Sequence, residues 1–266
     1  MILLMAGMIL TCKLDSLHGI YLPRSFWCLI LAIAILLAGC SSYSTMTDVY
    51  ILGLSYTDSI PSNLNPIARN ISETLQGFRN ASQLEVRTGY FGICVRQRGV
   101  LWLCSSDSDG LTQQIGAEND PLNLIGLAAK FKDEVVFSGL LFMVVVLSFF
   151  SFILLGTFPG WHEERDERTG SDVDVKPFPS RPVSRVACSC AFVAGTLSLI
   201  SILWQHVGAV GAAAMAESAN YGNVKSVIGA GAMTMGWIAF TLTTLVAIGL
   251  LVMIWSIMTL DRLTDD

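Results

Sequence analysis

The chain has 266 residues, of which only 14% are charged while 53% are apolar. A typical soluble domain has about 25% charged residues, so this composition indicates an integral membrane protein. The net charge of −5 excludes a basic surface for nucleic acid. The cysteine and glycine spacings match no metal, haem or phosphate-binding motif, so we expect no bound cofactor and no enzyme.

Four uncharged apolar segments are long enough to be transmembrane helices, because about 20 residues cross the hydrocarbon core of a bilayer. We therefore predict a left-handed bundle of four transmembrane helices. In chain order, the predicted parts are an N-terminal segment 1–24, span one 25–43, a large first loop 44–134, span two 135–158, a middle loop 159–185, span three 186–207, a second loop 208–232, span four 233–260 and a tail 261–266.

The first span has a second interpretation, which the sequence leaves open. Residues Leu37-Ala38-Gly39-Cys40 match the bacterial lipobox. In that interpretation the apolar segment is a cleaved signal peptide, Cys40 is linked to lipid and three spans remain.

Basic residues near the ends of the spans predict the orientation of the chain in the membrane. The middle loop 159–185 carries five of them, whereas the second loop carries only Lys225. We therefore expect both termini and the middle loop to lie in the cytoplasm and the first loop outside. A loop as long as the first one crosses the membrane largely regardless of its own charge.

Two patterns in the first loop agree with an extracellular position. Asn70-Ile-Ser72 and Asn80-Ala-Ser82 are N-glycosylation acceptor sequences, so we predict glycans on Asn70 and Asn80. Cys94 and Cys104 are the only cysteines in the regions that we place outside. A lone pair in an oxidising compartment most simply forms a disulfide.

The two cysteines lie on short predicted strands that flank a turn at residues 97–99. A hairpin brings Cys94 and Cys104 together, and we predict that a small disulfide-stapled antiparallel sheet caps the helices outside the membrane. Gly89 and Gly92 precede the first cysteine, where they allow a bulge or the close approach of another backbone segment.

Asp, Glu, Lys and Arg are absent from all four predicted spans, which argues against a self-contained transporter or ion pump. A pore formed by several chains is an alternative, in which acidic residues of the first loop attract calcium. The candidates are Asp107, Asp109, Glu118 and Asp120. The segment 107–110 resembles part of a calcium loop but lacks the rest of the EF-hand pattern, so we predict no metal site.

Cys188 and Cys190 lie at the predicted cytoplasmic mouth of span three. Reversible S-palmitoylation and an ordinary buried thiol are both compatible with this position. Palmitoylation would add a lipid anchor beside the span.

The four spans, the large first loop and the sequence Gly89-Tyr90-Phe91-Gly92-Ile93-Cys94, followed by Cys104, resemble the claudin-like tetraspan superfamily. More closely, they resemble a fungal family of pheromone-induced regulators of calcium influx and membrane fusion during mating. Trp102 lies after the first cysteine, whereas the claudin tryptophan precedes it. This difference favours the fungal family.

The resemblance implies a plasma-membrane glycoprotein that regulates low-affinity calcium influx and membrane fusion in mating. It implies no catalytic residues, and only Gly89, Gly92, Cys94 and Cys104 are carried over as motif residues. The implied partners are the lipid bilayer, other membrane proteins or further copies of the chain, and calcium. Two other functions stay open, namely a claudin-like organiser of adhesion or membrane domains without a calcium role, and a subunit of an oligomeric channel.

Overall fold

In the computed structural model, the described residues are 33–41, 46–57, 65–79, 82–157, 162–165, 172–175 and 181–264. This part of the chain is mainly helical and contains a small antiparallel sheet, which confirms these two features of the predicted fold. Most of the predicted first span lies outside the described residues, although residues 33–38 are helical.

The first loop folds into strands and short helices that alternate along the chain. In order, they are β1 Leu52–Tyr56, α1 Pro66–Arg79, β2 Leu84–Thr88, β3 Ile93–Gln97, β4 Trp102–Ser105, α2 Ser108–Ile115 and α3 Leu124–Glu134. The side chains of β2 alternate between buried and partly exposed positions, because one face of the sheet is covered and the other is not.

The remaining described elements are α4 Gly139–Gly156, β5 His162–Arg165, β6 Asp172–Val175, α5 Arg181–Ala219, β7 Val224–Ile228 and α6 Ala230–Thr264. Among the described residues, α4, α5 and α6 are the helices long and apolar enough to cross a membrane. Their exposed side chains include Val146, Leu203 and Leu251. These helices therefore present an apolar surface suited to contact with lipid.

The larger sheet combines strands from two loops of the predicted topology. Its strand order is β4-β3-β2-β1-β7, and all neighbouring strands are antiparallel. We expected residues 208–232 to be a loop, but α5 continues to Ala219 and β7 follows it. The difference arises because β7 is stabilised by pairing with β1, which is remote in sequence. We call the unit formed by β1–β4, β7 and α1–α3 the sheet domain.

The core of the sheet domain lies between one face of the sheet and α3. Leu54, Val86 and Val95 are cross-strand neighbours on this face, and each is buried. The residues of α3 that join the same apolar cluster are Leu124, Ile125, Ala128 and Phe131. Burial of each large apolar side chain contributes about 1.5–3 kcal/mol relative to exposure.

The sheet has one end near the spans and one end far from them. α5 has 39 residues, and a helix of that length extends about 58 Å, well beyond the ~30 Å core of a bilayer. β7 then runs back from Val224 to Ile228, directly before α6. Because Tyr56 pairs with Val224 and Leu52 with Ile228, β1 also has its far end at Tyr56.

Candidate functional site at the junction of the sheet domain and the spans

The turn between β2 and β3 holds residues 89–92, which we call the junction turn. Thr88 at its start pairs with Leu52, and Leu52 pairs with Ile228 just before α6. The junction turn therefore lies at the near end of the sheet. The residues that distinguish this sequence thus lie where the sheet domain meets the transmembrane helices.

Both glycines of the junction turn lie against the backbone that follows the first helical segment. A Cβ atom on Gly89 would lie 2.8 Å from Cys40 Cβ, and one on Gly92 would lie 2.7 Å from Cys40 O and 3.1 Å from Ser41 Cα. These distances are too short for any side chain, so residues 39–41 can approach the turn only because both positions are glycine.

Tyr90 connects the junction turn to α5. Its side chain is buried, and its hydroxyl donates a hydrogen bond to Gln205 Oε1. Burial raises the pKa of Tyr90, so the phenol stays protonated as a donor at neutral pH. Gln205 Nε2 is also buried and has no hydrogen-bond partner among the described residues. Loss of the Tyr90 hydroxyl would leave this amide with both polar atoms unpaired.

Trp204, the residue of α5 before Gln205, anchors the link between α3 and α4. Trp204 Nε1 donates to Val135 O at 2.9 Å, in the link between α3 and α4. A small cavity of about 10 Å³ lies between this link, Tyr90 and α5. Adjacent residues of one transmembrane helix thus hold both the junction turn and the link to the preceding helix.

Phe91 connects the junction turn to α4. Its ring lies 6.1 Å from the ring of Phe142, with an interplanar angle of 47°. Such tilted aromatic pairs contribute about 0.5–1.5 kcal/mol beyond burial of area. The four residues of the junction turn therefore contact residues 39–41, α4 and α5, which together belong to three of the predicted spans.

The first motif cysteine, Cys94, lies shortly after the junction turn, and the second, Cys104, lies beside it on the neighbouring strand. Cys94 of β3 and Cys104 of β4 are register partners, with Cα atoms 4.0 Å apart, and the structure joins them through a disulfide. The link connects the covered strand β3 to the edge strand β4.

A cluster centred on Arg87 lies on the other, partly exposed face of the sheet. Its guanidinium bonds Asp48 and Glu85, each at 2.9 Å, and lies over the rings of Tyr50 and Trp102 at 4.7 and 4.4 Å from their centroids. Burial lowers the pKa of Arg87, but these carboxylates outweigh burial and raise it. Arg87 thus ties the segment after the first span to the sheet. The sequence offered no signal for this cluster, because Asp48 and Tyr50 lie far from Arg87 in sequence.

The four acidic residues proposed to attract calcium differ in their surroundings. Asp120 is buried and accepts hydrogen bonds from Leu124 N and Ile125 N at 2.8 and 2.9 Å and from the Tyr56 hydroxyl at 2.7 Å. Contrary to our expectation, this carboxylate stabilises the start of α3 and is not available to an ion.

The other three acidic residues are exposed. Asp107 caps α2 by accepting a bond from Asp109 N at 3.0 Å, while the carboxylates of Asp109 and Glu118 face solvent. Within the described residues, no group of three or more His, Cys, Asp or Glu side chains is arranged to hold a metal ion.

The predicted modification sites within the described residues lie on elements other than the junction turn. Asn70 is exposed on α1, while Asn80 lies outside the described residues. Cys188 and Cys190 are half-buried near the start of α5, about four turns before Gln205 in that helix.

Comparison with protein families gives a match to the family model described as Ca2+ regulator and membrane fusion protein Fig1. The match covers residues 70–256, which is more than half of the chain and includes the junction turn, both motif cysteines, α4, α5 and α6 as far as residue 256. The chain belongs to the Fig1 family. This confirms the resemblance found in the sequence, whereas the wider likeness to claudins stays a prediction. A comparison with curated proteins found no match.

Proposed function

We propose that this Fig1-family protein is a plasma-membrane tetraspan that regulates low-affinity calcium influx and supports membrane fusion during fungal mating. Both termini lie in the cytoplasm and the sheet domain lies outside the cell. The observation that carries this proposal is the family match over residues 70–256, whose description names calcium regulation and membrane fusion.

The protein acts without catalysis, by organising other membrane proteins or further copies of itself. The absence of Asp, Glu, Lys and Arg from the four predicted spans supports control of a partner channel in preference to passage of calcium through this chain. The junction turn makes such control physically reasonable, because its contacts with residues 39–41, Gln205 and Phe142 link the sheet domain to the transmembrane helices.

The proposed protein carries three kinds of covalent modification, namely a disulfide, N-linked glycans and palmitoyl groups. The Cys94–Cys104 disulfide keeps β4 attached to the sheet in the extracellular space. N-linked glycans are carried by Asn70 and Asn80, and Cys188 and Cys190 are palmitoylated on the cytoplasmic side. Loss of either pair of modification sites is expected to alter surface abundance before it alters calcium entry.

A second candidate is a subunit of an oligomeric calcium channel. The exposed positions of Asp107, Asp109 and Glu118 favour it, since carboxylates at a pore entrance concentrate cations. Charge reversal at Asp109 and Glu118 distinguishes the candidates. A channel entrance should lose calcium uptake, whereas an organiser of partners should retain it. Asp107 is left unchanged in this test because it caps α2.

The experiment that tests the main proposal measures calcium uptake in pheromone-treated fungal cells that lack this protein. The cells are complemented with wild type or with Cys94→Ser/Cys104→Ser, and the amount of protein at the surface is measured in parallel. We expect deletion to reduce uptake and wild type to restore it. A double variant that reaches the surface without restoring uptake shows that the hairpin is required. Unchanged uptake after deletion contradicts the calcium role and favours an adhesion organiser.

A further inference from the structure

The two edges of the larger sheet are protected very differently. At one edge, Glu217 of α5 accepts hydrogen bonds from Ser226 N and Ser226 Oγ at 2.9 and 2.6 Å, so a side chain covers the outward amide of β7. At the other edge, β4 pairs with β3 alone among the described strands. Proteins usually blunt an open edge, because its unpaired amides and carbonyls attract another strand.

The open edge at β4 is also apolar. Leu103 is 38% exposed, and Val100 and Leu101, at the tip of the β3–β4 hairpin, are 84% and 77% exposed. Beside the tip lies a groove of about 320 Å³, lined in part by Leu103 and Ile115. The tip residues Val100 and Leu101 also line this groove, so the tip and the groove form one continuous apolar surface beside β4. Such a surface can be covered by a second copy that is related to the first by a two-fold axis.

Charges at the two ends of β4 are opposite in sign. Arg98 is exposed at the hairpin tip before β4, and Asp107 and Asp109 are exposed directly after it. When two copies of β4 pair antiparallel, the Arg98 end of each strand lies beside the acidic end of the other. The charges of this edge are therefore complementary to those of a second copy in the antiparallel arrangement.

The direction of β4 decides where the second copy must reside. Ser105 pairs with Ile93 beside the junction turn, so β4 runs from its far end toward the spans of its own chain. Two copies in one membrane have β4 strands that point the same way. An antiparallel partner must come from a membrane that faces the first one.

We propose that β4 and the β3–β4 hairpin tip form a homotypic interface between copies of this protein in two apposed membranes. Strand addition supplies the hydrogen bonds, and the tips and grooves supply the apolar contact. The predicted glycan at Asn70 does not obstruct this edge, because α1 is held at the β7 side by the bond from Asn223 Nδ2 to Ser72 Oγ at 3.0 Å. The interface goes beyond the calcium role and does not depend on it.

The test uses the full-length protein in two differently labelled populations of proteoliposomes made from phosphatidylcholine and phosphatidylserine. Tethering between the populations is measured by fluorescence cross-correlation, without calcium. We expect wild type to tether, and Leu101→Asp to reduce tethering about tenfold or more, which corresponds to ~1.4 kcal/mol. The matched control is Ile67→Asp, since Ile67 is also 77% exposed but lies on α1. Equal effects of the two changes overturn the proposal.

A charge exchange tests the antiparallel arrangement directly. Arg98→Glu present on both populations is expected to weaken tethering, because the new carboxylate would then face Asp109 of the other copy. Asp109→Lys on both populations should weaken it for the corresponding reason. Mixing an Arg98→Glu population with an Asp109→Lys population restores contacts between opposite charges, so tethering should return toward the wild-type level. Failure of the mixture to recover overturns the proposed pairing.

Protein-free vesicles of the same lipid composition provide the remaining control. If wild-type proteoliposomes tether to them as strongly as to each other, and Leu101→Asp abolishes this, the hairpin tip binds a lipid surface and the homotypic interface is wrong. Calcium uptake is not measured in any of these assays. A negative tethering result therefore does not contradict the proposed calcium role, and a negative calcium-uptake result does not contradict the proposed interface.

Discussion

The two turns that flank β3 have opposite properties. The junction turn before β3 is packed against residues 39–41, α4 and α5, and its Tyr90 is only 6% exposed. The hairpin turn after β3 projects Val100 and Leu101 into solvent, away from the spans. Strand β3 thus connects a turn that packs against the transmembrane helices to a turn whose apolar side chains are exposed. The residues most characteristic in sequence belong to the first, so a recognisable motif need not mark the surface that recognises a partner.

The largest loss of stability is expected from a substitution in the junction turn. Gly89→Ala should lower the free energy of unfolding by about 3 kcal/mol, because its Cβ would lie 2.8 Å from Cys40 Cβ in a packed environment. Thermal unfolding of the purified protein in detergent measures this change. Gly77→Ala is the matched control, since nothing lies within 4 Å of a Cβ there. Alanine at this helical position should be neutral or slightly stabilising. If Gly89→Ala changes the free energy of unfolding as little as Gly77→Ala does, the junction turn is not tightly packed.

Removal of the disulfide is expected to have the second largest effect on stability. Cys94→Ser/Cys104→Ser should lower the free energy of unfolding by about 2–3 kcal/mol, because the bond closes a short loop in the unfolded chain. Since the bond attaches β4 to β3, we expect hydrogen exchange in β4 to increase more than exchange in β1. Exchange measured by mass spectrometry gives both values. A uniform increase across the sheet would mean that the bond stabilises the whole domain and not the edge strand.

Tyr90→Phe should have a smaller effect on the same turn. Loss of the hydroxyl removes its bond to Gln205, and leaving a buried partner unpaired costs about 1–3 kcal/mol. Gln205→Leu alone should cost a similar amount. The double variant should be less destabilised than the sum of the two, because neither group then lacks its partner. Additive losses in chemical unfolding would show that the two residues are not coupled.

The smallest effect on stability is expected at the hairpin turn. Leu101→Asp should change the free energy of unfolding by less than about 0.5 kcal/mol, because the side chain has few contacts to lose. Unfolding of this variant is compared with that of Gly89→Ala under identical conditions. The same substitution is expected to reduce tethering strongly, which separates the role of this turn from that of the junction turn. A large loss of stability would place Leu101 in the core and remove the contrast.

Several features were accessible from the sequence because they depend on local patterns. Uncharged apolar runs predicted the positions at which α4, α5 and α6 occur, since crossing a bilayer demands about 20 apolar residues in succession. The short strands around Cys94 and Cys104 were predicted from their turn residues. The two glycines indicated a close approach of backbone, although the segment that approaches, residues 39–41, was not identifiable.

Other features were missed because they depend on contacts between distant parts of the chain. Nothing in residues 224–228 indicates that β7 pairs with β1, because α4, α5 and most of the sheet domain separate the two strands in sequence. Asp120 looked like a solvent-exposed acidic residue, but folding places it at the start of α3, where two backbone amides bind it. Its role follows from a helix start that composition alone does not locate.

The division between these two groups has a physical basis. Hydrophobicity, helix length and the need for glycine are properties of short segments, so the sequence alone indicated a membrane protein of the Fig1 family. The bond between Cys94 and Cys104 was a prediction from the same local pattern. Which segments meet is decided by packing of the whole chain. The hydrogen bond between Tyr90 and Gln205 and the contrast between a covered edge at β7 and an open edge at β4 exist only in the folded protein.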